Sequence, residues 1–290
     1  MDFLRPSSLA EALAAKAECP GAVPIAGGTD VLVELNFDRR RPATLLDLTG
    51  IAELAEWAPD GGVLRVGAGV PYTRIIAELG SRLPGLAMAS RTVGSPQIRN
   101  RGTVGGNLGS ASPAGDAHPP LLASGAVVEV ASVRGTRHIP VTEFFTGVKR
   151  NALAPDELIT AFRIAPADGP QQFAKVGTRN AMVIAVCSFA IALHPSTGTV
   201  GTGIGSAAPT PRRAIEAEEF LAGELTWGTR LPIPDSVAYR FGQLVAGAAA
   251  PIDDVRGTAD YRRHALSVMA RRTLRWAWQE YCEGGRQACA

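Results

Sequence analysis

Long apolar runs and closely spaced cysteines are both missing from this 290-residue sequence. The longest apolar stretch, residues 182–193, is interrupted by Ser188 and falls short of the ~20 residues that a membrane-spanning helix needs. We therefore expect no integral membrane segment. The cysteines are Cys19, Cys187, Cys282 and Cys289. Their wide spacing argues against a disulfide framework or a zinc site and favours a reducing compartment.

An excess of charge of one sign is missing as well. The 29 basic and 27 acidic residues leave a net charge of +2, without the basic stripe that is typical of nucleic-acid-binding proteins. We therefore predict no nucleic-acid partner. The N-terminus has neither the basic nor the apolar region of a secretory signal, so we expect a cytoplasmic protein. Lysine is scarce: only Lys16, Lys149 and Lys175 are present.

The chain is rich in apolar and turn-forming residues. Apolar residues make up 46% and aromatic residues 6% of the sequence, which also contains 32 glycines and 21 prolines. This composition supports a folded core and is typical of a loop-rich α/β or α+β enzyme rather than a helical bundle. At roughly 100–200 residues per domain, the length allows two domains.

Local patterns predict the secondary structure of the first half of the chain. Ser8, with Glu11 three residues later, predicts the N-cap of an amphipathic helix. Predicted strands lie at residues 22–25, 44–48 and 158–164, hairpins at 54–68 and 126–140, and helices at 31–35 (or a turn), 75–79, 86–91 and 121–124. Residues 93–112 break these patterns because few of their side chains could fill a core.

The second half begins after a predicted linker at residues 165–170. Strands are expected at residues 173–176, 183–193 and 200–205, and helices at 213–222, 236–248 and 261–281. Strands followed by helices argue for an α+β domain. The run at residues 201–206 has the spacing GxGxG and is followed by prolines. We therefore interpret it as a strand edge and turn rather than a Rossmann dinucleotide site.

Two glycine-rich segments, residues 26–30 and 103–107, are the strongest candidates for a binding site, and we expect each to follow an apolar strand. Glycine permits φ > 0 and a close approach of the backbone to a ligand. Consecutive N–H groups in such a turn form a concavity for an anion such as pyrophosphate. The two segments could grip a dinucleotide together, although glycine pairs also occur in ordinary turns.

An ordered set of motifs identifies a resemblance to a known family. The motifs are PIAGGTD at residues 24–30, QIRNRGTVGGN at 97–107, SASPAGD at 110–116, FAKVGTRN at 173–180, APTPRRA at 208–214 and DYRRH at 260–264. In order and spacing they resemble the FAD-binding medium subunit of molybdenum hydroxylases, the family that includes carbon monoxide dehydrogenase and bacterial xanthine dehydrogenase-type enzymes. The resemblance covers nearly the whole chain.

The resemblance implies an α+β fold with two domains. An FAD-binding domain of the vanillyl-alcohol-oxidase-like (PCMH) type is expected at residues 1–168, with subdomains at about 1–55 and 56–168. A smaller α+β C-terminal domain, with an antiparallel sheet and helices, is expected at residues 169–290.

The resemblance also implies which residues contact FAD. They are Ala26, Gly27, Gly28, Thr29, Asp30, Thr103, Val104, Gly105, Gly106, Asn107, Asp116, Leu158 and Lys175. Asp116 is expected to accept hydrogen bonds from sugar or ribityl hydroxyls. The backbone contact near Leu158 could equally come from Ile159. Neither a catalytic acid–base pair nor a metal-ligating set is apparent in this chain, so we predict no catalytic and no metal-binding residue.

The implied function is that of an oxidoreductase subunit. The chain would accept electrons from a small subunit carrying 2Fe–2S clusters, in a complex whose large subunit binds the molybdopterin cofactor, as a dimer of heterotrimers. The external acceptor (quinone, NAD or dioxygen) and the substrate stay open. A stand-alone FAD-dependent oxidase or dehydrogenase of the same fold is the alternative, and a non-catalytic nucleotide-binding module is a third possibility.

One histidine and four arginines have expected roles besides direct contact with FAD. His118 is expected to cap a helix or to line the flavin cleft. Arg99 and Arg101 are expected to face the iron–sulfur subunit, as the resemblance implies. Arg262 and Arg263 are expected to be solvated on an exposed helix.

Overall fold

The computed structural model describes residues 1–287, so Cys289 lies outside the described residues. The chain begins with a small three-stranded parallel sheet of order β1-β3-β2. Its elements are β1 (Asp2–Leu4), α1 (Leu9–Glu18), β2 (Val23–Ile25), α2 (Val31–Asn36) and β3 (Thr44–Asp47). Ser8 is the N-cap of α1, as predicted, and its hydroxyl accepts a hydrogen bond from the Glu11 N–H. Ala12, Leu46 and Leu54 form the buried centre of this region.

A five-stranded antiparallel sheet of order β4-β5-β10-β6-β7 follows. The elements of this region are β4 (Trp57–Asp60), β5 (Val63–Gly67), α3 (Tyr72–Glu78), α4 (Pro84–Arg91), α5 (Pro96–Arg101), α6 (Val104–Ser110), α7 (His118–Ala123), β6 (Val127–Ser132), β7 (Gly135–Pro140), α8 (Val141–Phe144), β8 (Phe145–Gly147), β9 (Arg150–Asn151) and β10 (Leu158–Ile164). The predicted hairpins and the strand at residues 158–164 are confirmed. Helices α3, α4, α6 and α7 contribute to the core that covers this sheet.

The C-terminal region places three antiparallel strands before three helices, which confirms the predicted α+β order. Its elements are β11 (Gln171–Val176), β12 (Cys187–His194), β13 (Thr199–Gly205), α9 (Ile215–Glu224), α10 (Asp235–Ala248) and α11 (Ala259–Gln287). Phe189, Phe241 and Leu266 are fully buried between the sheet and the helices.

The expected strand at residues 183–193 is wrong at its beginning, because β12 starts at Cys187. Val186 N–H donates to the Val176 carbonyl oxygen at 2.8 Å, and the residues between them form a connecting loop. Within that loop Met182 has φ of +51°, and the Arg179 side chain donates to the Ala181 and Met182 carbonyl oxygens. The first part of the apolar run therefore belongs to a loop, and the rest forms strand β12.

Helix α7 packs directly on the edge strand β13. This contact joins the N-terminal and C-terminal regions. A Cβ atom added at Gly201 would overlap the Ala123 carbonyl oxygen, and one added at Gly203 would overlap that of Pro119. The strand-edge interpretation of the GxGxG run is thus confirmed, and close packing explains its glycines. On the other side, Gly85 N–H donates to Gln171 Oε1 at 3.1 Å. We propose that the boundary between the two domains lies at residue 168.

Candidate functional site

The first glycine segment turns the chain from β2 into α2. Gly28 adopts φ of +75°, a conformation that favours glycine. Gly27 lies against the end of α5, where an added Cβ would overlap the Arg101 carbonyl oxygen and lie 2.9 Å from the Gly102 nitrogen. Thr29 is half-buried and Asp30 is exposed at the N-terminus of α2. The two glycine segments therefore meet, because residue 102 immediately precedes the second one.

The second glycine segment does not follow a strand, contrary to our expectation. It follows α5 and forms the first turn of α6, where the Thr103 hydroxyl caps the helix by accepting from Gly106 N–H at 2.9 Å. Val104 and Leu108 are fully buried, so residues 93–112 fill more of the core than the sequence indicated. Packing decides this outcome, because the glycines of α6 let it lie close to the strand end at Ala68.

Gly106 has more room beside it than its neighbour Gly105. A Cβ added at Gly105 would lie 2.7 Å from the Cα of Ala68, whereas one added at Gly106 would approach only the Thr103 hydroxyl, at 3.1 Å. Gly106 is exposed and has no positive φ. The exposed side of the α6 N-terminus is therefore accessible to a ligand, with no strained backbone there.

Asp116 and Lys175 form a buried ion pair at the junction of the N-terminal and C-terminal regions. Lys175 Nζ donates to Asp116 Oδ2 at 2.6 Å and to the Thr92 carbonyl oxygen at 3.2 Å. Both side chains are 8% exposed. Burial raises the pKa of Asp116, while the Lys175 ammonium and the Thr92 hydroxyl act in the opposite direction. Asp116 Oδ1 is buried without a hydrogen-bond partner among the described residues.

His118, two residues after Asp116 in the chain, is fully buried and contacts α6. Its Nε2 lies 3.1 Å from the Asn107 carbonyl oxygen, in α6, and its ring packs on Phe145 with centroids 4.5 Å apart. Burial lowers the pKa of His118 to about 4, so the imidazole is neutral near neutral pH. His118 does not cap α7, whose N-cap residue is Ala117, so the predicted capping role is wrong; its side chain contacts the preceding helix α6 instead. Asn107 Oδ1 is within 3.4 Å of the Ala117 N–H.

Tyr72 lies beside the start of the second glycine segment, a position that the sequence did not reveal. Its ring is 3% exposed, and its hydroxyl is buried without a hydrogen-bond partner among the described residues. Burial raises its pKa well above the usual value, and the nearby carboxylates of Asp116 and Asp30 add to this effect. No sequence signal marks Tyr72, because its importance depends on residues that are distant along the chain.

A cavity of about 450 Å³ opens beside Lys175, between the N-terminal and C-terminal regions. Four of its lining residues are cationic and none is acidic: Arg91, Arg99, Lys175 and Arg179. The Arg99 guanidinium, however, donates to the carbonyl oxygens of Val93 and Gly94 at 3.1 and 3.0 Å. The Arg99 guanidinium is thus hydrogen-bonded within the chain, whereas Arg101 is exposed.

Leu158 and Ile159 point to different cores, as successive strand residues do. Leu158 packs with the small N-terminal sheet, and Ile159 belongs to the core beneath α6. A Cβ added at Gly109 would contact the Ile159 side chain at 3.7 Å. Both residues are buried, and the side chain near α6 is that of Ile159.

Arg262 is buried rather than solvated, which corrects our expectation. Its guanidinium donates to the carbonyl oxygens of Val186 and Ser206 and pairs with Asp254 at 2.6 Å. It anchors the start of α11, while Arg263 is exposed. Within residues 1–287, no group of three or more His, Cys, Asp or Glu side chains is placed to hold a metal ion. No helix in the described part of the chain has the length and apolarity needed to cross a membrane.

Two family models match the chain in succession. The model described as "FAD binding domain in molybdopterin dehydrogenase" matches residues 1–167. The model described as "CO dehydrogenase flavoprotein C-terminal domain" matches residues 172–277. Together they span both regions of the structure.

Several known proteins are similar over nearly their whole length. The xanthine dehydrogenase FAD-binding subunit of Escherichia coli O157:H7 is 31% identical over 283 residues, which cover 94% of each chain. The nicotinate dehydrogenase FAD-subunit of Eubacterium barkeri is 34% identical, over 88% of this chain and 92% of that one. A solved chain of carbon monoxide dehydrogenase from Hydrogenophaga pseudoflava superposes with a TM-score of 0.89 at 27% identity, covering 97% of this chain and 98% of that one. Quinoline 2-oxidoreductase from Pseudomonas putida 86 gives the same TM-score, identity and coverage.

Proposed function

Because the chain belongs to the family of FAD-binding medium subunits of molybdenum hydroxylases, we propose that it is the electron-transfer flavoprotein of such a complex. It accepts electrons from an iron–sulfur subunit and delivers them to an external acceptor. FAD, when bound, supplies the passage between one-electron and two-electron chemistry. The four cysteines of the sequence are widely spaced and do not form the clustered pattern that ligates iron–sulfur centres. The iron–sulfur centres then belong to a partner.

The proposed FAD site lies where the two glycine segments meet. We assign to it Ala26, Gly27, Gly28, Thr29, Asp30, Thr103, Val104, Gly105, Gly106, Asn107, Asp116, Leu158 and Lys175. The backbone of the two segments would hold the pyrophosphate, because its N–H groups can approach an anion closely there. The observation that carries the assignment is Asp116 Oδ1, which is buried and has no hydrogen-bond partner among the described residues. A buried carboxylate oxygen without a partner fits a ligand hydroxyl.

Lys175 brings a fixed positive charge to the same place. Its ammonium is held by Asp116 and by the Thr92 carbonyl oxygen, and its side chain lines the cavity between the two regions. A positive charge near a flavin stabilises added negative charge by Coulomb attraction. We propose that Lys175 raises the reduction potential of the cofactor in this way, and that the external acceptor enters by the cavity.

The proposed function is tested by purifying the tagged chain from its own host. We expect a yellow complex that contains an iron–sulfur subunit and a molybdopterin subunit, with the mass of a dimer of heterotrimers, in the cytoplasmic fraction. Acid precipitation should release the flavin, because neither glycine segment contains Cys or His to form a covalent flavin bond. A single polypeptide that oxidises a substrate with its flavin alone would establish the stand-alone oxidase instead.

The partner surface is tested at Arg101 rather than at Arg99. Arg101→Glu reverses an exposed charge beside the glycine segments, whereas Arg99→Glu would also remove hydrogen bonds to carbonyl oxygens within the chain. We expect Arg101→Glu to lower the yield of the assembled complex in native mass spectrometry while FAD binding by the chain is unchanged. Arg263→Glu, an exposed position on α11, is the matched control. Equal yields from both variants would remove Arg101 from the interface.

A further inference from the structure

Arg99 holds the α4–α5 turn, residues 92–95, from the side of α5. Its Nη1 atom donates to the carbonyl oxygens of Arg91, Val93 and Gly94, at 3.2, 3.1 and 3.0 Å. The last carbonyl groups of a helix have no partner within the helix, and a cation near them is favourable because it also meets the negative end of the helix dipole. The guanidinium therefore fixes the backbone of the α4–α5 turn relative to α5.

The same turn holds Lys175 through Thr92. Lys175 Nζ donates to the Thr92 carbonyl oxygen at 3.2 Å and to Asp116 Oδ2 at 2.6 Å. The Thr92 hydroxyl lies 3.3 Å from the same carboxylate oxygen. Among the consecutive carbonyl groups of residues 91–94, that of Thr92 accepts from Lys175 and the others accept from Arg99. The position of the Lys175 ammonium thus depends on the turn that Arg99 fixes.

These residues border the cavity between the N-terminal and C-terminal regions. Thr92, Arg99 and Lys175 all line it. A lysine ammonium is a point charge on a flexible stem, so its position must be fixed by the groups that it contacts. The Coulomb interaction between this charge and a ligand weakens with distance and with exposure to water. A displaced Lys175 ammonium would therefore have a weaker effect on a cofactor beside the cavity.

We propose that Arg99 is a positioning residue for the flavin. By fixing the α4–α5 turn, it holds the Lys175 ammonium beside the cofactor and keeps the flavin reduction potential high. Arg99 acts through Thr92 and Lys175 and does not need to touch FAD itself. This inference rests on the proposed FAD-binding function and on the role proposed for Lys175.

Arg99→Lys separates position from charge. Lysine keeps the positive charge, but its side chain is one atom shorter and has no planar fork of N–H donors. In potentiometry of the full-length, flavin-loaded chain we expect the ratio of reduced to oxidised flavin at a given potential to fall about tenfold, which is about 30 mV for a two-electron couple. Arg91→Gln is the matched control, because this exposed side chain lines the same cavity and makes no hydrogen bond among the described residues. It removes a whole charge and leaves the turn intact, so it should lower the potential less than Arg99→Lys does.

Gly94→Ala disturbs the same turn without changing any charge. Gly94 has φ of +45°, and an added Cβ would lie 2.8 Å from the Ile98 Cβ, so the turn must shift. We expect the flavin reduction potential to fall in this variant as it does in Arg99→Lys. The two variants reach the turn from different sides, so either one tests the proposal if the other does not fold.

Double variants with Lys175→Met test whether the effect passes through the ammonium. Adding Arg99→Lys to Lys175→Met should lower the potential no further, because the group that Arg99 positions is absent. Additive losses, or the wild-type potential in both Arg99→Lys and Gly94→Ala, would overturn the proposal. If the wild-type chain bound no FAD, the proposed function would fail together with this inference. That result differs from a bound flavin whose potential does not respond to the turn.

Discussion

Gly27 and Gly106 look alike in the sequence, each within a Gly-Gly pair, but their surroundings predict different variants. A Cβ atom at Gly27 would overlap the Arg101 backbone, whereas one at Gly106 would approach only the Thr103 hydroxyl, at 3.1 Å. Gly27→Val should therefore lower the stability of the cofactor-free chain by about 2 kcal/mol or more. Gly106→Val should fold and emerge with little flavin, because the added methyl groups fill the space assigned to the pyrophosphate.

Thermal unfolding and the flavin-to-protein absorbance ratio of the purified variants separate these two effects. Gly106 has no positive φ, so no backbone strain should accompany Gly106→Val. Full flavin content in Gly106→Val would show that the second segment is not at the cofactor.

His118 predicts a dependence of stability on pH. Its pKa falls from 6.5 to about 4 on folding, because burial disfavours the imidazolium. Below pH 6.5 the unfolded chain binds a proton that the folded chain does not, so stability falls as the pH falls toward 4. Between pH 6.5 and about 4, the free energy of unfolding should fall by about 3 kcal/mol.

Urea unfolding above and within this pH range checks the prediction. His118→Gln keeps a donor for the Asn107 carbonyl oxygen but removes the titrating group. The loss of stability on acidification should be smaller in this variant. Identical losses in the two proteins would assign the pH dependence to other groups.

At the scale of elements, the contact of α7 with β13 depends on glycines in the strand. Gly201→Ala should push the helix away from the strand and destabilise the chain by about 1–3 kcal/mol, as overpacking does. Gly247→Ala is the matched control in α10, where an added Cβ meets nothing within 4 Å. Gly247 lies in the last turn of α10, so this variant should gain at most about 0.5–1 kcal/mol from the higher helix propensity of alanine. Equal denaturation midpoints for both variants would contradict the packing argument.

Individual elements were predictable where a local pattern is decisive. The apolar run of β10, the turns of the hairpins and the Ser8 cap each report a backbone conformation directly. The apolar run at residues 183–193 was ambiguous, because hydrophobicity does not separate a buried loop from a buried strand. Helix α6 was missed for a related reason: glycine lowers helix propensity, and packing on the strand end overrides this preference.

For the whole molecule, the ion pair between Lys175 and Asp116 links the N-terminal and C-terminal regions as well as contacting the proposed site. Lys175→Met would leave a buried carboxylate without its cation, which destabilises a protein by about 3–5 kcal/mol. We expect lower stability, weaker FAD binding and a lower flavin reduction potential.

The double variant Lys175→Met, Asp116→Asn separates these effects, because it removes both charges. It should recover much of the stability while the potential stays low, as measured by chemical denaturation and potentiometry. If both variants had the wild-type flavin reduction potential, Lys175 would have a purely structural role.

The sequence by itself determined the strands-then-helices order of the C-terminal region, the α+β class and, through its ordered motifs, the family. These properties depend on periodicity, turn residues and capping, which are local. The tertiary structure alone decided that Gly27 touches Arg101, that Tyr72 lies behind the glycine segments, and that Lys175 meets Asp116 across 59 residues of chain. Such contacts depend on how complete sheets and helices pack, and no local pattern encodes the resulting distances or the burial that shifts a pKa.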